Sequence, residues 1–300
     1  CKFGRYKYNK KLGIASRLAG HTLSRPVVSP ITGEIMAEAG EVCRYEKAVA
    51  IENAGVMEAY VTTEAKEYYV SEMTGETLTR LVEHEVKISG SGMVDLAEWL
   101  VNTFNFTEND ALGNQTPFYF DGSVKDICIC LKSGATLNVI GKKFFTFPKL
   151  IIPFLNERKI TAILWATSAI VLIGNSDILS VVLPEHLRLV TFAGEAMPAK
   201  QLKVWMNKLP NCKFVNLYGP TEITVDCTYY EVDREFGDDE FIPIGKDCKN
   251  KQILVFNDED KLVEVGECGE LCVRGTGVAL GYYNNKAKTD EVFVQNPLHD

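Results

Sequence analysis

The sequence predicts an α/β protein: a parallel sheet covered by helices, with a C-terminal β-rich subdomain and a small α+β unit at the N-terminus. Three observations carry this expectation. Between Ser123 and Val215, short apolar runs of strand length alternate with stretches of helical periodicity, the pattern of a parallel sheet buried on both faces. From Ile242 onward that pattern gives way to strands punctuated by glycine. Ahead of about Val70, turns and short strands surround a single helical run and form a coherent small unit of their own. The expected domains are 1–85, 86–240 and 241–300, with the first junction between Val70 and Leu96.

The elements follow in order. Val27-Val28 and Ile35-Met36 are strands around a turn at Thr32-Gly33; Tyr45 to Asn53 is a helix stopped by Gly55; Ala59 to Thr62 is a closing strand. Ser123 to Leu131 is a helix capped by Ser123, Gly134 to Ile140 a strand, and Phe147 to Asn156 an amphipathic helix. Thr161 to Trp165 is a strand, Ser168 to Gly174 a short helix, and Leu187 to Phe192 a strand aimed at Ala193-Gly194-Glu195. Pro198 opens the next helix, through Val204-Trp205, and Phe214-Val215 lead into a loop. Gln252 to Phe256 and Glu270 to Arg274 are the C-terminal strands.

Composition narrows the function classes. The 300 residues are 46% hydrophobic, enough for a large core, and carry a formal net charge of −8. The acidic run Asp233 to Glu240 suits a solvated loop, and the overall acidity gives no electrostatic footprint for nucleic acid. No stretch approaches the roughly 20 apolar residues that span a bilayer, and no secretory signal is present, so no membrane role is expected. Nine cysteines, an odd number without framework spacing, point to reduced thiols and a cytoplasmic location. Cys128, Cys130, Cys268 and Cys272 lack the partners of a zinc site and are expected as small buried residues.

The most informative run is Asn216-Leu217-Tyr218-Gly219-Pro220-Thr221-Glu222. An aromatic ring can stack on a base, Gly admits a close ligand, Thr can reach a phosphate oxygen and Glu can hold a hard cation. Tyr-Gly-Pro alone also fits an ordinary turn followed by a capping Thr. The company it keeps favours the nucleotide. Phe120-Asp121-Gly122-Ser123 lies upstream, Ala193-Gly194-Glu195 between, and Gly269-Glu270-Leu271-Cys272-Val273-Arg274-Gly275 with Gly281-Tyr282-Tyr283-Asn284 downstream. In this order they resemble the motifs of adenylate-forming enzymes, in particular the amino-acid adenylation domains of nonribosomal peptide synthetases, from about Val94 to Asp300.

The resemblance implies ATP-dependent activation of an amino acid as an aminoacyl-adenylate, with ATP and Mg²⁺ as cofactors and a carrier-protein phosphopantetheine thiol as acceptor. It implies Asp121 as the anchor of the substrate ammonium, with Asp121 as a helix N-cap the alternative. Tyr218 would be the adenine platform, Asn216 a partner for the base edge, Gly194, Glu195 and Gly219 neighbours of the nucleotide, and the catalytic residues would be Thr221, a phosphate contact, and Glu222, the metal ligand. The amino-acid pocket would be drawn from Gly122, Lys125, Leu164, Thr191, Ala193, Leu217, Val225 and Asp226. Lys125 and Asp226 hint at a polar substrate, provided they point inward.

Two features depart from the family. Its Ser/Thr/Gly-rich phosphate loop has its nearest candidate in Ser71 to Thr77, which lacks Lys and Pro and brings two Glu. Residues of about 3–80, with Gly4 to Leu12, Pro30-Ile31-Thr32-Gly33-Glu34 and Ile51 to Val56, instead resemble a segment of the bacterial RNA polymerase beta subunit. A chimera or fragment is therefore expected, beginning at Cys1 and stopping at Asp300 within a continuing motif series. Such a chain is expected to be catalytically impaired. Its alternatives are a transcription role for the N-terminal unit, or nucleotide binding without catalysis.

Overall fold

The computed structural model describes residues 6–7, 14–70, 77–89 and 92–298. They fall into two compact units, one over Asn9–Ser91 and a larger one over Gly92–Asp300 that also takes in the strand Tyr6–Lys7, parallel to Phe293–Val294. That strand lies within the range expected for the N-terminal unit, yet it is paired to the far end of the chain.

The smaller unit packs Leu18, Leu23, Cys43, Ala48, Ile51 and Val61 in one core. Its turn works as the residue types demand: Ser29 Oγ accepts from the amides of Ile31 and Thr32 at 3.3 and 3.2 Å, fixing the reversal between Val27–Val28 and Ile35–Ala37. The helix is Tyr45–Asn53, closed by Gly55 and Val56 amides turning back onto Glu52 and Ile51 carbonyls. The closing strand is longer than expected. It runs Glu58–Val70 and pairs antiparallel along its length with Thr77–Ser89, because β-branched and aromatic residues continue past Thr62. The candidate phosphate loop, except for Thr77, lies outside the described residues.

The larger unit is built on a seven-stranded sheet flanked by helices. Its spatial order is Lys246–Asp247, Thr228–Glu231, Lys213–Tyr218, Leu189–Ala193, Ala162–Ala166, Ala111–Asn114, Thr136–Val139. The last five are mutually parallel, and the first two join antiparallel. Alternation along the strands sorts the core into two layers. Leu112, Ala162, Leu164, Leu189, Val215 and Leu217 face the helices Gly92–Phe104 and Gly122–Ser133. Ile163, Trp165, Val190, Phe192 and Phe214 face Ile151–Glu157, Thr167–Gly174 and Ala199–Lys208. Strand order reverses at Ala111–Asn114, whose two neighbours are the next two strands of the chain. At such a switch point the flanking connections leave on opposite sides and open a crevice beyond the carboxyl ends.

Several expected elements change on folding. Ser123 does not cap: the helix starts at Gly122, and Ser123 Oγ donates to the Phe120 carbonyl at 2.8 Å. The helix expected from Phe147 to Asn156 is broken into Lys143–Thr146, a 3₁₀ turn at Pro148–Leu150 and Ile151–Glu157. Pro148 forces Phe147 out of the helical region, to φ −122° and ψ 77°. Past residue 240, Lys246–Asp247 still completes the large sheet. The ribbon Lys251–Phe256 with Glu270–Gly275 then packs Val273 against Ile223 and Cys227. Cys268 is exposed and Cys128 and Cys130 are half-buried, so of the four expected inside only Cys272 is buried. Among the described residues no helix is long and apolar enough to cross a membrane.

Candidate functional site

The crevice is framed by strand ends that the sequence supplies in order. After Asn114, Gln115 Oε1 accepts from the Ala166 amide at 3.3 Å, bridging the switch point. Next door, the buried Thr167 hydroxyl sits 3.2 Å from the Ala193 carbonyl and 3.0 Å from that of Glu195, tying the turn down from below. Gly194 at its apex has φ +95°, a conformation that L residues avoid, and a Cβ there would meet nothing within 4 Å. Gly194 and Glu195 are thus exposed over open space.

The strand Lys213–Tyr218 delivers the heptad. Leu217 is buried among the core and Tyr218 is half-buried at the strand end, where burial pushes its hydroxyl up to about 12. Asn216 is buried and Nδ2 donates to the Pro243 carbonyl at 2.8 Å, so that amide is already engaged within the fold. Gly219 is required: a Cβ would come within 2.3 Å of the Val225 carbonyl oxygen. The chain folds back there because Thr224 and Val225 are both left-handed, φ +58° and +67°. For branched residues this costs about 1–2 kcal/mol each and persists only when over-determined. Thr224 Oγ1 donates to Gly277 at 2.6 Å, and Lys251 Nζ donates to the Thr224 carbonyl at 3.1 Å and to the Asp226 carbonyl.

Two candidate residues a hundred positions apart meet directly. Thr221 Oγ1 donates to Asp121 Oδ2 at 2.6 Å. Asp121 is itself in helical conformation and makes no side-chain cap, so its carboxylate is bonded to Thr221 and not to the helix end. Glu222 Oε1 accepts from the Tyr282 hydroxyl at 2.6 Å, and that bond pushes the Tyr282 hydroxyl up to about 12. Tyr282 lay within a recognised motif, but no signal in the sequence paired it with Glu222.

The residues expected to line an amino-acid pocket share one face of the sheet. Thr191 stands in register with Leu164 and Val215, so all three point the same way, as do Ala193 and Leu217 two residues on. Leu164, Ala193, Leu217 and Val225 pack in one cluster with Ile129 of the helix Gly122–Ser133. Lys125 and Asp226 point inward and pair at 3.3 Å. Gly122 lies at the start of that helix against Thr116. The neighbouring Asp126 was not singled out from the sequence: it is fully buried, accepts from Asn114 Nδ2 at 2.7 Å, and burial pushes its carboxyl up to about 7.

Among the described residues no group of three or more His, Cys, Asp or Glu gathers to hold a metal ion. A single carboxylate such as Glu222 suits Mg²⁺, which commonly takes one or two carboxylates and completes its shell with phosphate oxygens and water.

Comparison with known proteins adds a family. A family model described as AMP-binding enzyme matches residues 86–283. The D-alanine–D-alanyl carrier protein ligase of Bacillus licheniformis is 32% identical over 212 residues, 69% of this chain and 42% of that protein. Tyrocidine synthase 1 of Brevibacillus parabrevis is 31% identical over 230 residues, 77% of this chain and 20% of that protein. The chain thus spans less than half the length of either relative. The crystal structure of IdnL1 superposes with a TM-score of 0.65 at 24% identity, over 71% of this chain and 44% of that one. That of CmiS6 gives 0.64 at 23%, over 78% and 61%; both likenesses speak for the fold alone. The RNA polymerase resemblance of residues 3–80, and with it a chimera, finds no support in these matches.

Proposed function

Because the chain belongs to the AMP-binding enzyme family, we propose that it activates the carboxylate of an amino acid with ATP, giving an aminoacyl-adenylate. The observation that carries this is the 2.6 Å contact between Thr221 and Asp121, which joins the nucleotide motif to the carboxylate best suited to an ammonium group. A substrate ammonium anchored at Asp121 would displace the Thr221 hydroxyl from that carboxylate and free its one proton for a phosphate oxygen beside the substrate's own carboxylate. Tyr218 offers its ring to adenine, while Gly194 and Glu195 leave the backbone open to the nucleotide; Gly219 serves the fold instead, packed against the Val225 carbonyl.

Catalysis under this reading is positioning plus charge stabilisation. The amino-acid carboxylate oxygen attacks the α-phosphorus, the bond to the bridging oxygen breaks, and pyrophosphate leaves with the electron pair. Asp121 pairs the ammonium, an attraction that strengthens as bound substrate displaces water from this partly exposed carboxylate. Mg²⁺, when held by Glu222 and the phosphates, would neutralise charge on the transferring group. The relative named as a carrier protein ligase supports transfer of the acyl group to a carrier thiol, with release of AMP.

We further propose that activation is slow in this chain. The phosphate loop that the resemblance calls for has its nearest sequence candidate in Ser71 to Thr77, which lacks Lys and Pro and brings two Glu, and each lost preorganised donor costs about 2–4 kcal/mol of barrier. Thermal-shift titration with Mg-ATP and a panel of amino acids tests binding, since a ligand selective for the folded state must stabilise it. Asp121→Ala should abolish the amino-acid shift and leave the ATP shift largely intact. Pyrophosphate exchange into ATP should be very weak; robust exchange lost on Glu222→Gln would support activation and refute the impairment.

A further inference from the structure

The loop after the heptad closes on itself. The Cys227 amide donates to the Tyr218 carbonyl at 2.8 Å, and between them Thr221 is exposed and Glu222 half-buried, while Ile223 and Val225 are buried. The reversal is made at Val225. A bond from the Asp226 amide to the Thr224 carbonyl at 3.0 Å closes a three-residue turn whose central φ is +67°, the rarer and strained hand of the γ-turn. Strain of this kind persists only where the surroundings fix it. Later chain supplies part of the fixing: the Ala279 amide donates to the Glu222 carbonyl at 2.7 Å, and Thr224 Oγ1 to the Gly277 carbonyl at 2.6 Å.

Lys251, at the start of the ribbon and 7% exposed, clamps this turn. Its Nζ donates to carbonyls on both sides of Val225, that of Thr224 at 3.1 Å and that of Asp226. The stem is confined: a Cβ on Gly277 would come within 2.8 Å of Lys251 Cε. Burying an amine is unfavourable, and desolvation pulls the Lys251 ammonium below the ordinary lysine range. The nearby carboxylates of Asp226, which pairs with Lys125, and of Asp95 offset that in part. The two bonds need two N–H donors, and an amine has two even without its proton. What the position requires is therefore the donors, since an apolar residue would be easier to bury but would take a partner from each carbonyl. We infer that Lys251 is a positioning residue for adenylate formation: by clamping the turn at Val225 it sets where Thr221 and Glu222 stand relative to the metal and the phosphates. This role rests on the activation reading above.

The test is isothermal titration of the full chain with ATP, once with Mg²⁺ and once with chelator, well below the melting temperature. Lys251→Met keeps the length of the stem and removes the donors. It should raise the dissociation constant for Mg-ATP about 10-fold, as loss of a group supporting a metal ligand commonly does, and the constant in chelator by less. Adding Val225→Gly relieves the turn, because glycine takes a positive φ without strain, and should recover at least about threefold of that loss. A lysine that serves folding alone would lower the melting temperature of the free protein and leave both constants as in the parent. Constants unchanged, or raised equally with and without Mg²⁺, overturn the assignment and leave the activation reading standing, as does a double variant that recovers nothing. A parent that binds no Mg-ATP overturns both. If Lys251→Met does not fold, Lys251→Gln, with N–H donors on a shorter neutral stem, is expected to raise the Mg-ATP constant at least about threefold. An unchanged constant in that variant would count against the role.

Discussion

Tyr282 donates to Glu222 Oε1 across sixty residues of chain and so holds one oxygen of the carboxylate proposed to bind Mg²⁺. We expect Tyr282→Phe to weaken the Mg-dependent part of the ATP thermal shift while leaving the shift with ATP in chelator unchanged. A hydrogen bond to a charged group is worth about 1.5–3 kcal/mol at most. Equal Mg-dependent shifts in variant and parent would show that Glu222 needs no such support. Asp126 makes a different prediction. Its carboxyl, raised from the ordinary range near 4 to about 7 by burial, keeps a proton that the unfolded chain releases. Stability should therefore fall as pH rises from about 4 to about 7, and level off above. Asp126→Asn keeps an oxygen for Asn114 and removes that slope. Urea melts should find it more stable than the parent at about pH 8, by up to about 4 kcal/mol, with little difference near pH 4. At this scale the motif residues Asp121, Thr221 and Glu222 were legible as chemical types, whereas Tyr282, Asn114 and Lys251 were not. Their roles come from partners distant in sequence.

At the scale of elements, the amino ends of the strands are pinned by one guanidinium. Arg188, just ahead of Leu189–Ala193, forks onto Asp110, just ahead of Ala111–Asn114, at 2.8 and 3.0 Å, and Nη1 donates to the Phe104 carbonyl at 2.9 Å. Burial opposes ionisation of Asp110, but the bonds from Arg188, Thr161 and the Thr107 amide outweigh it and hold the carboxyl below its ordinary range. Its contribution is therefore present above about pH 4 and lost as pH falls through the depressed value. Arg188→Ala should cost about 2–3 kcal/mol at neutral pH by denaturant melts, because it leaves a buried carboxylate short of donors. The loss should shrink in acid, and a pH-independent loss would assign the effect to packing on Phe106 instead. Strands and helices of the sheet were readable from periodicity because burial on two faces needs continuous apolar runs. The break at Pro148 and the length of Glu58–Val70 were misjudged, since a proline's local effect and a cross-strand partner each override pattern.

For the whole molecule, the separate cores of Asn9–Ser91 and Gly92–Asp300 predict two unfolding transitions by calorimetry, with ATP raising only the one that belongs to the larger unit. A single transition shifted as a whole by ATP would mean that the units unfold together. Limited proteolysis gives an independent reading: the first cuts should separate the units, and a resistant product spanning Thr62 to Asp110 would contradict the division.

Local chemistry and hydrophobic period were enough to determine from the sequence the α/β class, the strand ends that carry Ala193-Gly194-Glu195 and the heptad, and the residue types suited to a nucleotide and an ammonium. These features depend on near neighbours in the chain, where spacing alone dictates which face a residue occupies. Only the tertiary structure decided the strand order and its reversal at Ala111–Asn114, the meeting of Thr221 with Asp121, and the inward pairing of Lys125 with Asp226. Each of those joins segments some 25 to 101 residues apart. What brings them together is the burial of two apolar layers on one sheet, a global balance that no local pattern encodes.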